Sequence, residues 1–287
     1  MAMIKSKARD WGRHTYRRLR DAGVDPRKTA AWLRGRGTYR ANRSAFFSAI
    51  PQSQSGQGFA WGISFPCYGD RTDSAGDTKG HYFHQDLLVA QDIYDRAPRR
   101  HVDVGSSIYG FVSHVATFRP IEIVDIRPLS SSVPNITFLQ ADMMNAAEVG
   151  SVHADSVSCL HALEHFGLGR YGDPVRVDGW IDGLSNLCNM TEPGGLLYLS
   201  VPITCEPRIE FDAHRVFRPD QIASALPGHM TIERFSYVDD SGDLHTDIDW
   251  RDDEVGSGLD LRYGCGIWFI RKNVNGQAGH ATRSEGD

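Results

Sequence analysis

The sequence predicts an α/β fold: a mostly parallel sheet with helices on both faces, a final antiparallel strand and a helical N-terminal extension. From residue 82 onward, short apolar runs rich in β-branched residues alternate with helix-compatible segments. This alternation is typical of parallel strands joined by crossover helices. The chain has 287 residues and 40% hydrophobic content, which is enough for a buried core around such a sheet.

Five short apolar runs supply the predicted parallel strands, namely His101–Val104, Ile121–Val124, Ile136–Leu139, Ser156–Leu160 and Leu196–Val201. An amphipathic helix precedes the first of them, over Phe83–Asp95. Two longer runs, Met230–Val238 and Tyr263–Arg271, are predicted to close the sheet as an antiparallel pair. The acidic stretch Asp239–Asp260 is predicted to connect them.

Three segments are expected along the chain. Residues 1–80 form a basic helical extension that ends in a loop or lid, residues 81–272 form the α/β domain, and residues 273–287 form a disordered polar tail. Residues 1–50 hold 13 Lys and Arg against three Asp, although the whole chain has a net charge of −5. This basic segment is either the solvated face of a helical cap or a docking surface for an anionic substrate, a partner or a membrane surface.

The cysteines are scattered and form no CxxC pair: Cys67, Cys159, Cys188, Cys205 and Cys265. Such a set indicates reduced thiols rather than a disulfide framework. No apolar run has the length of a signal peptide or a membrane span, so we expect a soluble cytoplasmic protein. The net charge of −5 gives no general attraction to nucleic acid, and no nucleic-acid partner is expected.

The most informative segment lies between His101 and Val115, where a buried strand enters a Gly and Ser turn and leaves as a helix. Gly105 permits a tight turn, and the helix N-terminus offers free N–H groups to a ligand. The second strand ends at Asp125, whose carboxylate can accept both hydroxyls of a ribose. The third strand is followed by Asp142 and Met143, at an edge where an adenine ring can bind.

The order of these features resembles the class I S-adenosylmethionine-dependent methyltransferases, over about residues 82–271. The resemblance also rests on the segment Leu163–His165 and on the turn Pro193–Gly195. It implies a Rossmann-like sheet and S-adenosylmethionine as the cofactor. The implied cofactor contacts are Asp103, Gly105 and Gly110 beside the methionine part, Asp125 on the ribose, and Asp142 and Met143 beside the adenine.

Two details refine this resemblance. Ser107 stands where a second glycine is common in the family, and the turn lacks the G-x-G-x-x-G pattern of a nucleotide-binding dehydrogenase. The segments Tyr82–Asp86 and Phe211–Phe217 resemble a little-characterised bacterial methyltransferase-like group associated with surface polysaccharide synthesis. This second resemblance implies a carbohydrate acceptor.

Methyl transfer to a hydroxyl needs an aligned acceptor and a base that takes its proton. The candidate bases are His161 and His214, with His165 beside them. Glu164 either fixes its loop or belongs to a cluster that holds a divalent metal. A histidine at position 161 disfavours Mg²⁺, because hard cations prefer oxygen ligands, and no metal is assigned. The H-x-x-E-H spelling lies at a strand exit, so a zinc-peptidase helix is rejected.

Polar side chains near these histidines are the expected acceptor contacts, namely His84, Arg170, Tyr171, Asp173 and Arg215. His81, like His84, precedes the first strand and is expected over the pocket, for packing or acceptor contacts.

The predicted function is therefore S-adenosylmethionine-dependent O-methyl transfer to a carbohydrate or polyhydroxyl small molecule, in line and with a His general base. The alternative is a non-catalytic cofactor-binding or regulatory protein. A nucleic-acid methyltransferase would need a basic groove, which only residues 1–50 offer. The oligomeric state is open, with a homo-oligomer among the alternatives.

Overall fold

A computed structural model describes residues 19, 22–52, 62–68, 70–72, 75–76 and 78–274. The chain divides into two compact units, residues 1–77 and 78–287. In the first unit, helix α1 spans Pro26–Ala49, and short 3₁₀ turns lie at Ile50–Gln52 and Asp70–Thr72. The predicted helical extension is confirmed over α1. Most of residues 3–25 and of the predicted tail lie outside the described residues.

Helix α1 has 24 residues and carries several arginines along its length. Within the described residues, none of the helices combines the length and the apolar character that crossing a bilayer requires.

The described part of the second unit, residues 78–274, contains ten strands: β1 (His101–Val104), β2 (Ile121–Asp125), β3 (Ile136–Gln140), β4 (Ala154–Leu160), β5 (Thr191–Ile203), β6 (Arg208–Glu210), β7 (His214–Val216), β8 (Met230–Val238), β9 (Leu244–Ile248) and β10 (Gly264–Lys272). Eight of them form one sheet in the order β3-β2-β1-β4-β5-β10-β8-β9, while β6 and β7 pair separately. Strands β1 to β5 run parallel. The order 3-2-1-4-5 is that of Rossmann-like sheets, as predicted.

The far side of the sheet is antiparallel. Strand β10 lies between β5 and β8 and is antiparallel to both. The prediction of a closing antiparallel pair is thus confirmed. The stretch Asp239–Asp260 does connect these two strands, but it also contains β9 and a short helix, which the sequence did not predict. Strand β9 is a half-exposed edge strand, so its sequence lacks the apolar run that marks a buried strand.

The helices of this unit are α2 (His81–Arg96), α3 (Ser113–Ala116), α4 (Ala146–Val149), α5 (Gly179–Met190), α6 (Pro219–Ala225) and α7 (Asp253–Ser257). They cover both faces of the sheet, and the hydrophobic core therefore forms two clusters, one on each face. One contains Leu187 of α5 with Trp268 of β10, and the other contains Ile93 of α2 with Phe269. Trp268 and Phe269 are adjacent in β10, so their side chains point to opposite faces.

The parallel half of the sheet determines where polar residues meet. Since β1, β2, β3 and β4 run in the same direction, the residues that follow them lie at one edge. That edge receives the Gly105 turn, Asp125 at the end of β2, Asp142 after β3 and His161 after β4. Ligands of open α/β sheets bind outside this carboxyl edge.

Candidate functional site

Two adjoining cavities lie at the carboxyl edge of the parallel strands. The inner cleft is narrow, with about 60 Å³ of free space, and lies against the ends of β1 to β4. The outer cavity is larger, about 620 Å³. Six residues line both, and they mark the junction of the two cavities: Gly105, Asp125, Arg127, His161, His165 and Tyr171.

Gly105 forms the floor of this junction. Its φ is +72°, in the left-handed region that favours glycine, and its N–H donates to the carbonyl oxygen of Val124 at 3.0 Å. A Cβ at this position would lie 2.9 Å from the Cβ of Ala162. Both the backbone and the packing therefore require a glycine, and the turn leaves backbone exposed to a ligand.

Asp103 lies beneath this turn and not on the cavity wall. Its Oδ1 accepts from the hydroxyls of Ser106 at 2.7 Å and Ser158 at 2.5 Å, and its Oδ2 accepts from the Ser106 N–H at 3.1 Å. Burial raises the pKa of Asp103 to about 7, against the effect of these hydrogen bonds. Gly110 is also away from the cavities, with Asp86 directly behind it. Asp103 and Gly110 therefore support the turn that the resemblance places beside the methionine part of the cofactor.

Asp125 lies at the junction with a partner that the sequence analysis missed. Its carboxylate accepts from the Arg127 backbone N–H at 2.8 Å, from Nε at 3.0 Å and from Nη2 at 2.6 Å. The Arg127 guanidinium lies 4.5 Å from the centroid of the Tyr171 ring. Arg127 and Tyr171 together narrow the inner cleft next to the carboxylate. The signal in the sequence was a cation only two residues after the acidic strand end.

The opposite end of the inner cleft is mainly apolar. Ala141 and Met143 are buried, and Phe166 lines the same end. Asp142 lies between them; its Oδ1 accepts from the Met144 N–H at 2.9 Å, and its own N–H donates to Glu148 at 2.8 Å. A flat heteroaromatic ring with polar edges fits this combination of apolar walls and one carboxylate.

His161 follows β4 with a φ of +51°, and its side chain is buried. Its Nδ1 lies 2.8 Å from Glu164 Oε1. Burial acts to lower the pKa of His161, but Cys265 and Glu164 outweigh it and hold that pKa well above its usual value. Glu164 has a lowered pKa because His161 outweighs the effect of burial. The pair therefore holds a proton on Nδ1 beside an ionised carboxylate.

His165 differs from His161 in its hydrogen bond. Its Nδ1 lies 2.7 Å from the carbonyl oxygen of Ala213, which can only accept, so Nδ1 carries the hydrogen. Burial lowers the pKa of His165. The ring is therefore neutral near pH 7, and its Nε2, which lies 3.8 Å from Glu164 Oε1, has a lone pair.

His214 lines the outer cavity only. Its Nε2 lies 3.4 Å from Glu210 Oε2, and its ring contacts Tyr263 at a centroid distance of 5.5 Å. Burial lowers the pKa of His214 as well. Tyr263 and Tyr82 complete this wall of the outer cavity. No pattern in the sequence singled out Tyr263, which precedes β10 and is distant along the chain from the other residues.

The predicted acceptor contacts occupy different positions. Arg170 and Tyr171 line the outer cavity. Asp173 lines the inner cleft and accepts from backbone N–H groups of its own loop, those of Gly167, Gly169 and Tyr171. The buried Arg215 donates to three carbonyl oxygens, those of Glu164, Phe166 and Val177, so it braces the loop. His84 lies on α2 and lines neither cavity.

A family model described as "Caenorhabditis protein of unknown function, DUF268" matches residues 130–253 of the chain, which include His161, His165 and His214. No curated protein matches the chain.

Several solved structures are similar to this chain at low identity. The N-methyltransferase NodS from Bradyrhizobium japonicum, in complex with S-adenosylhomocysteine, is 12% identical with a TM-score of 0.45, over 67% of this chain and 88% of that one. The 1,6-didemethyltoxoflavin-N1-methyltransferase from Burkholderia thailandensis is 15% identical with a TM-score of 0.45, over 83% and 90%. An O-methyltransferase from a trans-AT PKS multienzyme of Brevibacillus brevis is 12% identical with a TM-score of 0.48, over 66% and 71%.

Proposed function

We propose that the chain is an S-adenosylmethionine-dependent O-methyltransferase whose acceptor is a carbohydrate or another polyhydroxyl small molecule. One observation carries this proposal. The motifs that resemble class I methyltransferases meet at one edge of a Rossmann-like sheet, around an inner cleft that joins a polar outer cavity. A cofactor and an acceptor need two such adjoining spaces, so that the reacting atoms face each other at their junction.

The residues of the inner cleft fit the cofactor. Gly105 lines the cleft with backbone alone, Asp125 offers a carboxylate for ribose hydroxyls, and the part of the cleft at Asp142 and Met143 suits adenine. When bound, S-adenosylmethionine supplies a methyl group on a sulfonium, which is electrophilic without further activation. Arg127 must share or release the Asp125 carboxylate for the ribose to bind there.

We assign the role of general base to His165. It lines both cavities, and its Nδ1–H is held by the Ala213 carbonyl oxygen, which leaves Nε2 to accept the proton of an acceptor hydroxyl. His161 is less suited, because Glu164 binds its Nδ1 and its Nε2 is buried. His214 is less suited because it lines the outer cavity alone.

The lining of the outer cavity supports a hydroxyl-rich acceptor. Arg170, Tyr171, Tyr82, Tyr263 and Ser106 place donors, acceptors and aromatic faces around a space of about 620 Å³. Sugars bind to such mixtures of hydrogen-bonding groups and rings. The resemblance of Tyr82–Asp86 and Phe211–Phe217 to a group associated with surface polysaccharide synthesis supports the same class. The scattered, free cysteines support a cytoplasmic location.

Two measurements, made one after the other, test the proposal. Isothermal titration of the full chain with S-adenosylhomocysteine is expected to show one binding site. An assay that detects release of S-adenosylhomocysteine, run against monosaccharides, nucleotide sugars and other polyols, is expected to find a turned-over acceptor. If S-adenosylhomocysteine does not bind, the proposed function is wrong.

A second function is favoured by one observation. The carboxylate of Asp125 is already satisfied by Arg127, which suits a protein that binds the cofactor weakly as a regulatory signal and does not turn it over. Binding without turnover across the acceptor panel, unchanged by His165→Gln, would favour this alternative.

A further inference from the structure

Three side chains from distant parts of the sequence meet behind the outer cavity. His81 begins α2, His161 follows β4, and Cys265 is the second residue of β10. One potential ligand atom from each lies within 4.8 Å of the other two. The sequence did not predict that these three residues meet, because 80 to 184 positions separate them along the chain.

The spacing of these atoms is somewhat wider than that of a formed metal site. Zinc binds imidazole nitrogen at about 2.0–2.1 Å and thiolate sulfur at about 2.3 Å, so ligand atoms in a tetrahedral site lie roughly 3.3–3.6 Å apart. The most widely spaced of these atoms must therefore approach by about 1 Å to close the cluster around an ion. Two imidazoles and one thiol form a soft donor set, which suits Zn²⁺ and its relatives and does not suit Mg²⁺ or Ca²⁺.

The surroundings of His161 supply a second and independent observation. Its Nε2 is buried and, apart from the Cys265 thiol itself, has no hydrogen-bonding partner within the part of the chain that the structure describes. Its Nδ1 is bound at 2.8 Å by the buried Glu164 carboxylate. A carboxylate that holds one ring nitrogen and leaves the other free is the usual arrangement behind a metal-bound histidine. His81 is stacked on the same ring, with a centroid distance of 5.2 Å and an angle of 9° between the rings, so the His81 ring must turn out of this stack for a nitrogen of each ring to bind one ion.

We propose that His81, His161 and Cys265 bind one zinc-class divalent cation, with Glu164 as the positioning residue that orients the His161 ring. Three protein ligands leave a coordination position for water or another oxygen ligand. His161 also lines the outer cavity, so the ion lies in its wall. The proposed zinc site does not depend on the proposed methyl transfer. Its donor atoms are nitrogen and sulfur, whereas the Mg²⁺ site that the sequence disfavours would need oxygen ligands.

The test uses the untagged full chain, stripped with a chelator, kept reduced and titrated with Zn²⁺ against a chromogenic competitor. One Zn²⁺ per chain is expected. Cys265→Ser and His81→Gln are each expected to weaken binding by about 100-fold or more, and Glu164→Gln by about 10–100-fold. Cys159→Ser and His84→Gln are the matched controls, being an equally buried cysteine and a histidine on the same helix, and should bind like the parent chain.

A measurement on the parent chain alone removes dependence on the folding of the variants. Co²⁺ in the site should give tetrahedral visible bands and a thiolate-to-metal charge-transfer band. A parent chain that binds no Zn²⁺, or whose Co²⁺ complex lacks the thiolate band, overturns the proposal. So does a double variant Cys265→Ser/His81→Gln that binds Zn²⁺ as tightly as the parent.

Discussion

The guanidinium of Arg127 holds the carboxylate of Asp125, with Nη2 2.6 Å from Oδ2, at the junction of the inner cleft and the outer cavity. The ion pair is local, because only one residue separates the two partners. It occupies the group that we expect to bind the ribose. We therefore expect binding of the cofactor and release of Arg127 to be coupled.

Replacing the Asp125 carboxylate tests this coupling. Hydrogen bonds to a charged group contribute about 1.5–3 kcal/mol, so Asp125→Ala is expected to weaken binding of S-adenosylhomocysteine by about 10- to 100-fold. Isothermal titration measures the effect. Glu122→Gln is the control, because Glu122 lies on the same strand but pairs with Arg100. Equal affinities of Asp125→Ala and the parent would remove Asp125 from the cofactor site.

Arg127→Met is expected to act in the opposite direction. The Arg127 side chain of this ion pair is half-exposed, and such ion pairs contribute about 0–1 kcal/mol to stability. Freed of this partner, Asp125 should bind the ribose more readily, and affinity for S-adenosylhomocysteine should rise by up to about fivefold. A loss of affinity would instead make Arg127 a direct contact of the ligand.

His165→Gln tests the proposed base. Loss of a general base lowers kcat by about 10²- to 10⁴-fold, whereas affinity for S-adenosylhomocysteine should stay unchanged. In the parent chain the proposed base must be unprotonated to act, and the pKa of His165 is lowered by burial. Activity should therefore persist as the pH falls below the usual histidine pKa of about 6.5 and decline only at lower pH. A smaller effect of His165→Gln than of His214→Gln would move the role to His214.

Asp103 gives a pH dependence of stability that can be checked apart from activity. Folding raises its pKa to about 7, so the native state binds this proton more tightly than the unfolded chain does. Its contribution to stability is complete below the unfolded pKa of about 3.9 and is lost as the pH rises through 7.

The variant Asp103→Asn removes this titration. Relative to the variant, the parent should lose up to about 4 kcal/mol of unfolding free energy between pH 4 and pH 8. Urea unfolding of both proteins at the two pH values measures it. If the difference between them stays constant with pH, the carboxyl does not titrate in this range.

Gly105→Ala tests the turn. An alanine there must adopt a φ of +72° and place its Cβ 2.9 Å from Ala162, so we expect a loss of about 1–3 kcal/mol in unfolding free energy. Gly172→Ala separates the two causes, because Gly172 has a φ of +84° with open space around it. Thermal unfolding should show a larger loss at Gly105. Equal losses would attribute the cost to the backbone alone.

The sequence predicted the parallel half of the sheet well, because β1, β2, β4 and most of β5 are buried apolar runs, and the half-exposed edge strand β3 still contains an apolar run. It also placed Gly105, Asp125 and Asp142 at one edge, since residues after parallel strands share that edge. Strand β9 was missed because an exposed edge strand needs few apolar residues. The meeting of His81, His161 and Cys265 was missed because it depends on how α2 packs across β4 and β10, which no local pattern encodes.

The position of β10 between β5 and β8 has a consequence for biogenesis. Until residues 264–272 leave the ribosome, β5 and β8 each present an unpaired edge, and such edges invite association with other chains. Pairs such as Leu196 with Arg271 also span a long stretch of chain, which slows folding. A nascent chain stalled before β10 should therefore need a chaperone, and it would lack both Tyr263 and Cys265.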